Sequence, residues 1–261
     1  MTPSRKSGPI AAAVAFVTIP GLAAAHERDF TISRDWHLPY VGENEIESRS
    51  FYDPRPGDFA QLFEYEYGVT EHFAIEPGIK FMTVGSDPFR LTGAEIEGRF
   101  NFLDFGYQKL LPALNVEYER QLKETAEQDA NTNQDFDNPK NAVELKGILS
   151  YYTERGEDYT INLNVGRVFG EGAPEWESEF SAGYVHPLDF IPGFNPSDKH
   201  PMKVGVEFLQ GLSKEKNSAI GPVVTWRATK NLHVLLNGMY AINHRGSGHN
   251  DELRLILEWE F

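Results

Sequence analysis

From residue 253 to the end, odd-numbered positions carry Leu253, Leu255, Leu257, Trp259 and Phe261, while even-numbered ones carry Arg254, Ile256, Glu258 and Glu260. Successive side chains of a β-strand point to opposite faces, so this alternation predicts a strand with one continuous apolar face. The same period recurs in runs over 43–52, 59–68, 73–82, 91–102, 113–122, 142–152, 159–166, 176–185, 202–209, 219–227 and 232–241, with turn residues between them. The first of these is weakly patterned. In the second, Phe59, Phe63, Tyr65 and Tyr67 share one face, and Glu64 and Glu66 share the other. The fourth sets Ala94, Ile96, Phe100 and Phe102 against Glu95, Glu97 and Arg99.

Twelve such runs predict an all-β fold, an antiparallel transmembrane β-barrel of about 12 strands closed by the C-terminal strand that ends in Phe261. Aromatic residues near strand ends, Tyr67, Phe73, Trp176, Tyr184, Trp226, Tyr240, Trp259 and Phe261, fit the girdles at the two membrane interfaces. The connections agree with an even strand count. If the first strand runs outward, those after the second, sixth and tenth, at 69–72, 153–158 and 228–231, are short as inner turns should be, and the longest, 123–141, falls on the outer side. Two inner connections, 104–111 and 187–200, are longer and are expected to carry short helical or aromatic plugs.

The N-terminus changes the picture of compartment. Arg5 and Lys6 precede an apolar stretch that closes on Ala23-Ala24-Ala25, the pattern of a secretory signal peptide. A spanning helix needs about 20 apolar residues, and Pro20 and Gly21 interrupt this one. The expected organisation is a signal peptide over 1–25, an N-terminal segment over 26–42 packed inside or below the barrel, and the barrel over 43–261. The expected location is the bacterial outer membrane, reached through the periplasm, with outer-membrane lipid as the surrounding partner.

The formal charge is −15, and loss of Arg5 and Lys6 with the leader makes the remainder more acidic still. That argues against nucleic acid as a partner. With no cysteine, an exported domain relies on burial and hydrogen bonding, and a closed barrel provides this by pairing every strand edge.

The polar faces predict the lumen. They carry Glu64, Glu66, Glu76, Glu95, Glu97, Glu117, Glu119, Glu144, Glu177, Glu179, Glu207, Glu258 and Glu260, opposed by Lys80, Arg99, Lys146, Lys203, Arg227 and Arg254. Excess carboxylate favours passage of cations and small hydrophilic solutes. Twelve strands enclose a narrow interior, so the same residues could pair and fill it, giving a non-conducting structural or partner-anchoring barrel.

Three further groups carry candidate chemistry. His244, Ser247, His249 and Asn250 lie in the last outer loop, where an outer-membrane lipid hydrolase would need His, Ser and Asn. Their spacing in a Gly-rich loop does not imply a positioned Ser–His pair. The run Asp129-x-Asn131-x-Asn133 begins like a calcium loop, but Gln134 replaces its glycine and Lys140 its closing glutamate. His26 and His37 could bind copper, though no pattern supports it. No catalytic residue, metal site or cofactor is expected.

The sequence resembles outer-membrane β-barrel proteins of the porin-like class across the whole mature chain. In particular, Leu257-x-Trp259-x-Phe261 resembles the terminal signal read by the barrel-assembly machinery, which the resemblance implies as a partner. The hairpin Tyr67-Gly68-Val69-Thr70-Glu71-His72-Phe73 is similar to those of transporters of the phenol-degradation MetA pathway.

Overall fold

The computed structural model describes residues 28–54, 57–83, 88–121, 141–169, 175–188, 202–213, 218–243 and 251–261. The leader, His26, the acidic run from Asp129 and the cluster from His244 to Asn250 lie outside the described residues. Twelve strands follow in chain order: β1 (Asn44–Asp53), β2 (Asp58–Thr70), β3 (Phe73–Thr83), β4 (Arg90–Asn101), β5 (Leu110–Gln121), β6 (Asn141–Tyr152), β7 (Asp158–Phe169), β8 (Glu175–Pro187), β9 (Lys203–Gly211), β10 (Ser218–Arg227), β11 (Leu232–Asn243) and β12 (Glu252–Glu260). Each pairs antiparallel with its sequence neighbours, and β1 pairs with β12, so the sheet closes. Every one of the twelve predicted runs is a strand, including the weakly patterned first.

Closure satisfies the backbone groups of both terminal strands. The β1–β12 ladder runs from Glu45 opposite Glu260 to Tyr52 opposite Leu253, and the Phe261 N–H continues it by donating to the Asn44 carbonyl at 3.1 Å. Outward positions are apolar and exposed, among them Phe63, Tyr65, Ile79, Ile96, Val116, Ile161, Leu163 and Leu236. Inward positions are polar and buried, as at Glu64, Glu97, Asn115, Thr160, Ser181 and Glu258. This inversion of the usual inside-apolar rule is what a lipid-facing barrel requires. The outer aromatics pack as ladders, with Phe73 stacked on Phe100 at 4.6 Å and Tyr159 against Tyr184 at 4.8 Å.

Residues 28–39 occupy the interior rather than the space below it. They form no regular element, yet Phe30, Arg34, Trp36 and Leu38 are all buried. Two small apolar clusters on the inner wall receive the segment's rings. Phe30 packs with Val185 and Val223, and Trp36 with Leu111, Ala113, Ile148 and Tyr152. Gly183 makes room for the first, since a Cβ there would land on the Phe30 ring. Gly68 does the same where the chain leaves the lumen, since its Cβ would strike the Tyr40 carbonyl. The β4–β5 connection covers this end: Phe105 lies 5.6 Å from Trp36 and 5.4 Å from Tyr152, ring centre to ring centre. An aromatic ring of the connection thus packs on the segment, while Phe105 itself stays 40 % exposed. The matching expectation for 187–200 falls almost wholly outside the described residues.

The outward phase of β12 predicts a depth-dependent cost. Leu255→Arg, at mid-strand, should destabilise the folded barrel by about 2–4 kcal/mol, and Tyr240→Arg, near the rim, by about 0–1 kcal/mol. Denaturant titration of folding into lipid vesicles measures both. Equal costs would mean that the apolar belt is not centred where the strand pattern puts it.

Candidate functional site

The inner wall carries Glu-x-Glu pairs on β1, β2, β4, β5 and β12, and strand register sets them side by side. Glu258, Glu47 and Glu64 are direct partners across β12, β1 and β2, and Glu260, Glu45 and Glu66 form the next rung. Glu76, Glu97, Glu117 and Glu144 are likewise partners across β3 to β6. Like charges directly opposite repel, and buried charges need partners. The structure therefore has to bring cations to these rungs.

Much of that charge comes from the N-terminal segment. Arg34 is 2 % exposed, and its guanidinium lies 3.0 Å from Glu76, 3.7 Å from Glu47 and Glu64, and 3.8 Å from Glu97. Its backbone is clamped by the two ends of one side chain. The Arg34 N–H donates to Asn162 Oδ1 at 2.6 Å, and Asn162 Nδ2 donates back to the Arg34 carbonyl at 2.8 Å. Arg28 donates to Glu47 at 2.7 Å. The wall supplies Arg49, which bridges Glu47, Glu64 and Glu76, and Arg99, 2.5 Å from Glu66. Arg99 also donates to the His37 carbonyl at 2.5 Å, so it ties the segment to the wall.

Glu207 is held by direct hydrogen bonds, with the Arg254 guanidinium acting on it from further off. Three consecutive backbone N–H groups, of Thr31, Ile32 and Ser33, donate to it at 3.1, 2.8 and 3.0 Å, with the Thr31 hydroxyl at 2.6 Å and Asn237 at 2.7 Å. Successive N–H groups in a bend make an anion nest, and charge-assisted hydrogen bonds are the stronger kind. Lys203 joins Asp29 at 2.8 Å to Asp158 at 2.5 Å, a further link from segment to wall. Burial opposes charge on Asp35. Even so, the neighbouring His37, the Arg99 guanidinium and the Asp29 N–H hold its carboxyl well below the usual carboxylate range.

Towards the long-loop end the wall pairs with itself. Lys80 lies 3.0 Å from Glu119 and 3.6 Å from Glu95, Lys146 3.4 Å from Glu144, and Arg254 2.6 Å from Glu252. Glu95, Glu117 and Glu119 gather there, Asn164 donates to Glu179 at 3.4 Å, and Glu177 is exposed at the rim. At the opposite end Arg227 lies 3.4 Å from Glu260. Leu257 and Trp259 face outward beside the barrel seam.

Sequence reasoning named these wall residues but not Arg28, Arg34, Glu45, Glu47 or Arg49. The first strand alternates Glu45, Glu47 and Arg49 against Ile46, Ser48 and Ser50, a pattern hidden because its outward face is half polar. Arg34 sits in a stretch without a period and gave no signal. His37 meets protein groups, with Nδ1 3.2 Å from the Tyr152 hydroxyl and 3.4 Å from Asp35.

No family model matches the chain, and no curated protein matches it. Solved structures do. The COG4313 outer membrane channel from Pseudomonas putida F1 superposes with a TM-score of 0.59 at 11 % identity, covering 89 % of this chain and 100 % of the other. The KdgM porin, in complex with disordered oligogalacturonate, gives 0.54 at 10 % identity, covering 83 % and 99 %. The chain has the fold of porin-like outer-membrane β-barrels, and the resemblance to MetA-pathway transporters fits the COG4313 likeness.

Two outcomes follow from the geometry. Arg34→Ala leaves four buried carboxylates short of a cation, a change that costs about 3–5 kcal/mol where a buried pair is broken. Proteinase K should then cut within residues 28–43 while the barrel stays resistant; unchanged protection would show that Arg34 does not hold the segment. Because the folded Asp35 carboxyl is lowered, its stabilisation is complete above about pH 4, the ordinary range. It is lost only as pH falls through the lowered value. Hydrogen exchange of residues 30–38 should therefore stay slow at pH 4, and Asp35→Asn should speed it at pH 7.

Proposed function

We propose that this barrel is a cation-favouring outer-membrane channel for small hydrophilic solutes, closed in the described state by its N-terminal segment. The observation that carries the reading is where the balancing charge comes from. The glutamate rungs belong to the wall, whereas Arg28 and Arg34, which neutralise part of them, belong to the N-terminal segment that lies outside the sheet. Withdrawal of that segment would leave Glu47, Glu64, Glu76 and Glu97 facing an open lumen, and excess carboxylate attracts cations. The printed names of the structural neighbours, a porin and a channel, support passage as the role.

The apolar outer belt and the aromatic ladders support a seat in the outer membrane, with lipid against them. Leu257, Trp259 and Phe261 at the seam are the residues for the barrel-assembly machinery to read.

The clamp by Asn162 and the nest around Glu207 favour a second reading, in which the segment never leaves and the barrel is a non-conducting anchor. Single-channel recording in planar bilayers separates the two. Exchange of residues 28–38 for a Gly-Ser linker should raise unit conductance several-fold over the parent. Combined Glu64→Gln, Glu66→Gln, Glu95→Gln and Glu97→Gln in that background should move the reversal potential towards anions. Silence of the linker protein would overturn the channel reading, and an unmoved potential would overturn cation preference.

A further inference from the structure

The outward face of the sheet is apolar through its middle, and charge enters it at one end. Strand register fixes the face of each side chain. Arg120 pairs with Asn141, and Arg167 with Val143 and Trp176, in the outward phase shared by Val116, Leu145 and Leu163. Among the described strand residues, Arg120 and Arg167 are the two formal charges in that phase. Both are cations near the long-loop ends of β5 and β7. His186, outward at the opposite end, lies 3.2 Å from Glu157. In a chain of net charge −15, two outward cations and no outward strand carboxylate need a reason.

Arg167 is gripped by rings. Its guanidinium lies 5.1 Å from the centre of Phe169 and 5.3 Å from that of Trp176, a cation–π sandwich. Its Nε is buried and meets no acceptor, and among the described residues no carboxylate pairs with it. Arg120 stands two strands away, roughly 10 Å round the barrel and roughly 7 Å nearer the long loops. Between them, Asn141 Oδ1 accepts from the Tyr118 hydroxyl at 2.9 Å, which leaves the amide N–H groups to donate.

Long loops mark the outer side of such barrels, so this patch faces the headgroup level of the outer leaflet. Acyl chains offer a guanidinium no acceptor, whereas a phosphate matches its planar fork with two parallel hydrogen bonds. We infer that Arg167 and Arg120 bind the phosphates of a phosphorylated glycolipid of the outer leaflet, with Phe169 and Trp176 holding the Arg167 fork in place. Two cations set this far apart suit a headgroup with two phosphates better than one with a single phosphate. The lipid's chains would lie on Val143 and Val165, both exposed below the patch. The inference rests on the outer-membrane seat proposed above and stands whether or not the lumen conducts.

The test uses the full-length folded barrel in detergent, delipidated and mixed with diphosphoryl lipid A, with bound lipid counted by native mass spectrometry. One lipid A per chain should be retained, and it should raise the unfolding temperature. Arg167→Gln should weaken retention roughly tenfold or more, and Arg167→Lys, which keeps the charge without the fork, should fall between. Lys230→Gln, exposed in the inner turn at the other end, should change nothing. Heat-dependent gel mobility in phospholipid vesicles checks the folding of every variant and the membrane seat separately. A parent that fails to insert would overturn the seat and the site with it, and one that inserts but retains no lipid A overturns the site alone. Retention that Arg167→Gln and Arg120→Gln together leave intact, or equal binding of lipid A stripped of its phosphates, also overturns it. Displacement by phosphatidylglycerol at equal concentration, or by inorganic phosphate, would overturn the assignment to a glycolipid.

Discussion

Burying a carboxylate without a partner is among the most expensive things a protein can do, and this barrel buries rows of them. Once β12, β1 and β2 pair in register, Glu258, Glu47 and Glu64 lie side by side, with Glu260, Glu45 and Glu66 one rung away. Everything else inside the barrel answers that arrangement. Arg34 is held among four carboxylates, Arg49 spans three, and Glu207 gathers three consecutive backbone N–H groups. The outer face has no such constraint, which is why it can be almost uniformly apolar.

The interior is held by two kinds of force with different reach. The rings of Phe30 and Trp36 fill apolar hollows in an otherwise polar wall, a contact that is local and insensitive to salt. The ion pairs of Arg28, Arg34 and Lys203 act between groups shielded from water, where screening by salt is weak. The Asn162 clamp adds direction, since its oxygen and nitrogen meet one backbone residue in a single orientation. Together they fix a stretch of coil that has no secondary structure of its own.

The barrel was legible because alternation is a local signal. Each strand states its two faces within ten or so residues, and Phe261 marks the closing edge. What could not be read is register. Glu47 and Glu258 are far apart in sequence, and nothing local says that they become neighbours. The inward apolar residues Val223, Leu235 and Ile256 were masked for a related reason: a strand with apolar residues on both faces loses its period. The segment around Arg34 is polar-aromatic without a period, so its sequence names none of its partners. Its contacts lie up to 223 residues away, from Thr31 to Arg254, and are invisible to any window.

The segment runs directly into β1, crossing at Tyr40 to Gly42 against Gly68. The barrel thus encircles the segment that leads into its own first strand. For a polymer, that is a question of order: the ring is completed only when the last strand to be made meets the first, and by then the leading coil is either already inside or must be drawn in through the short-turn mouth. Arg34 and Thr31 touch β1, β2, β3, β4 and β9, so an early-docked coil would gather distant strands before the seam exists. Such a coil would act as a mandrel on which the sheet is wound, while the width of the finished tube follows from its twelve strands and their stagger.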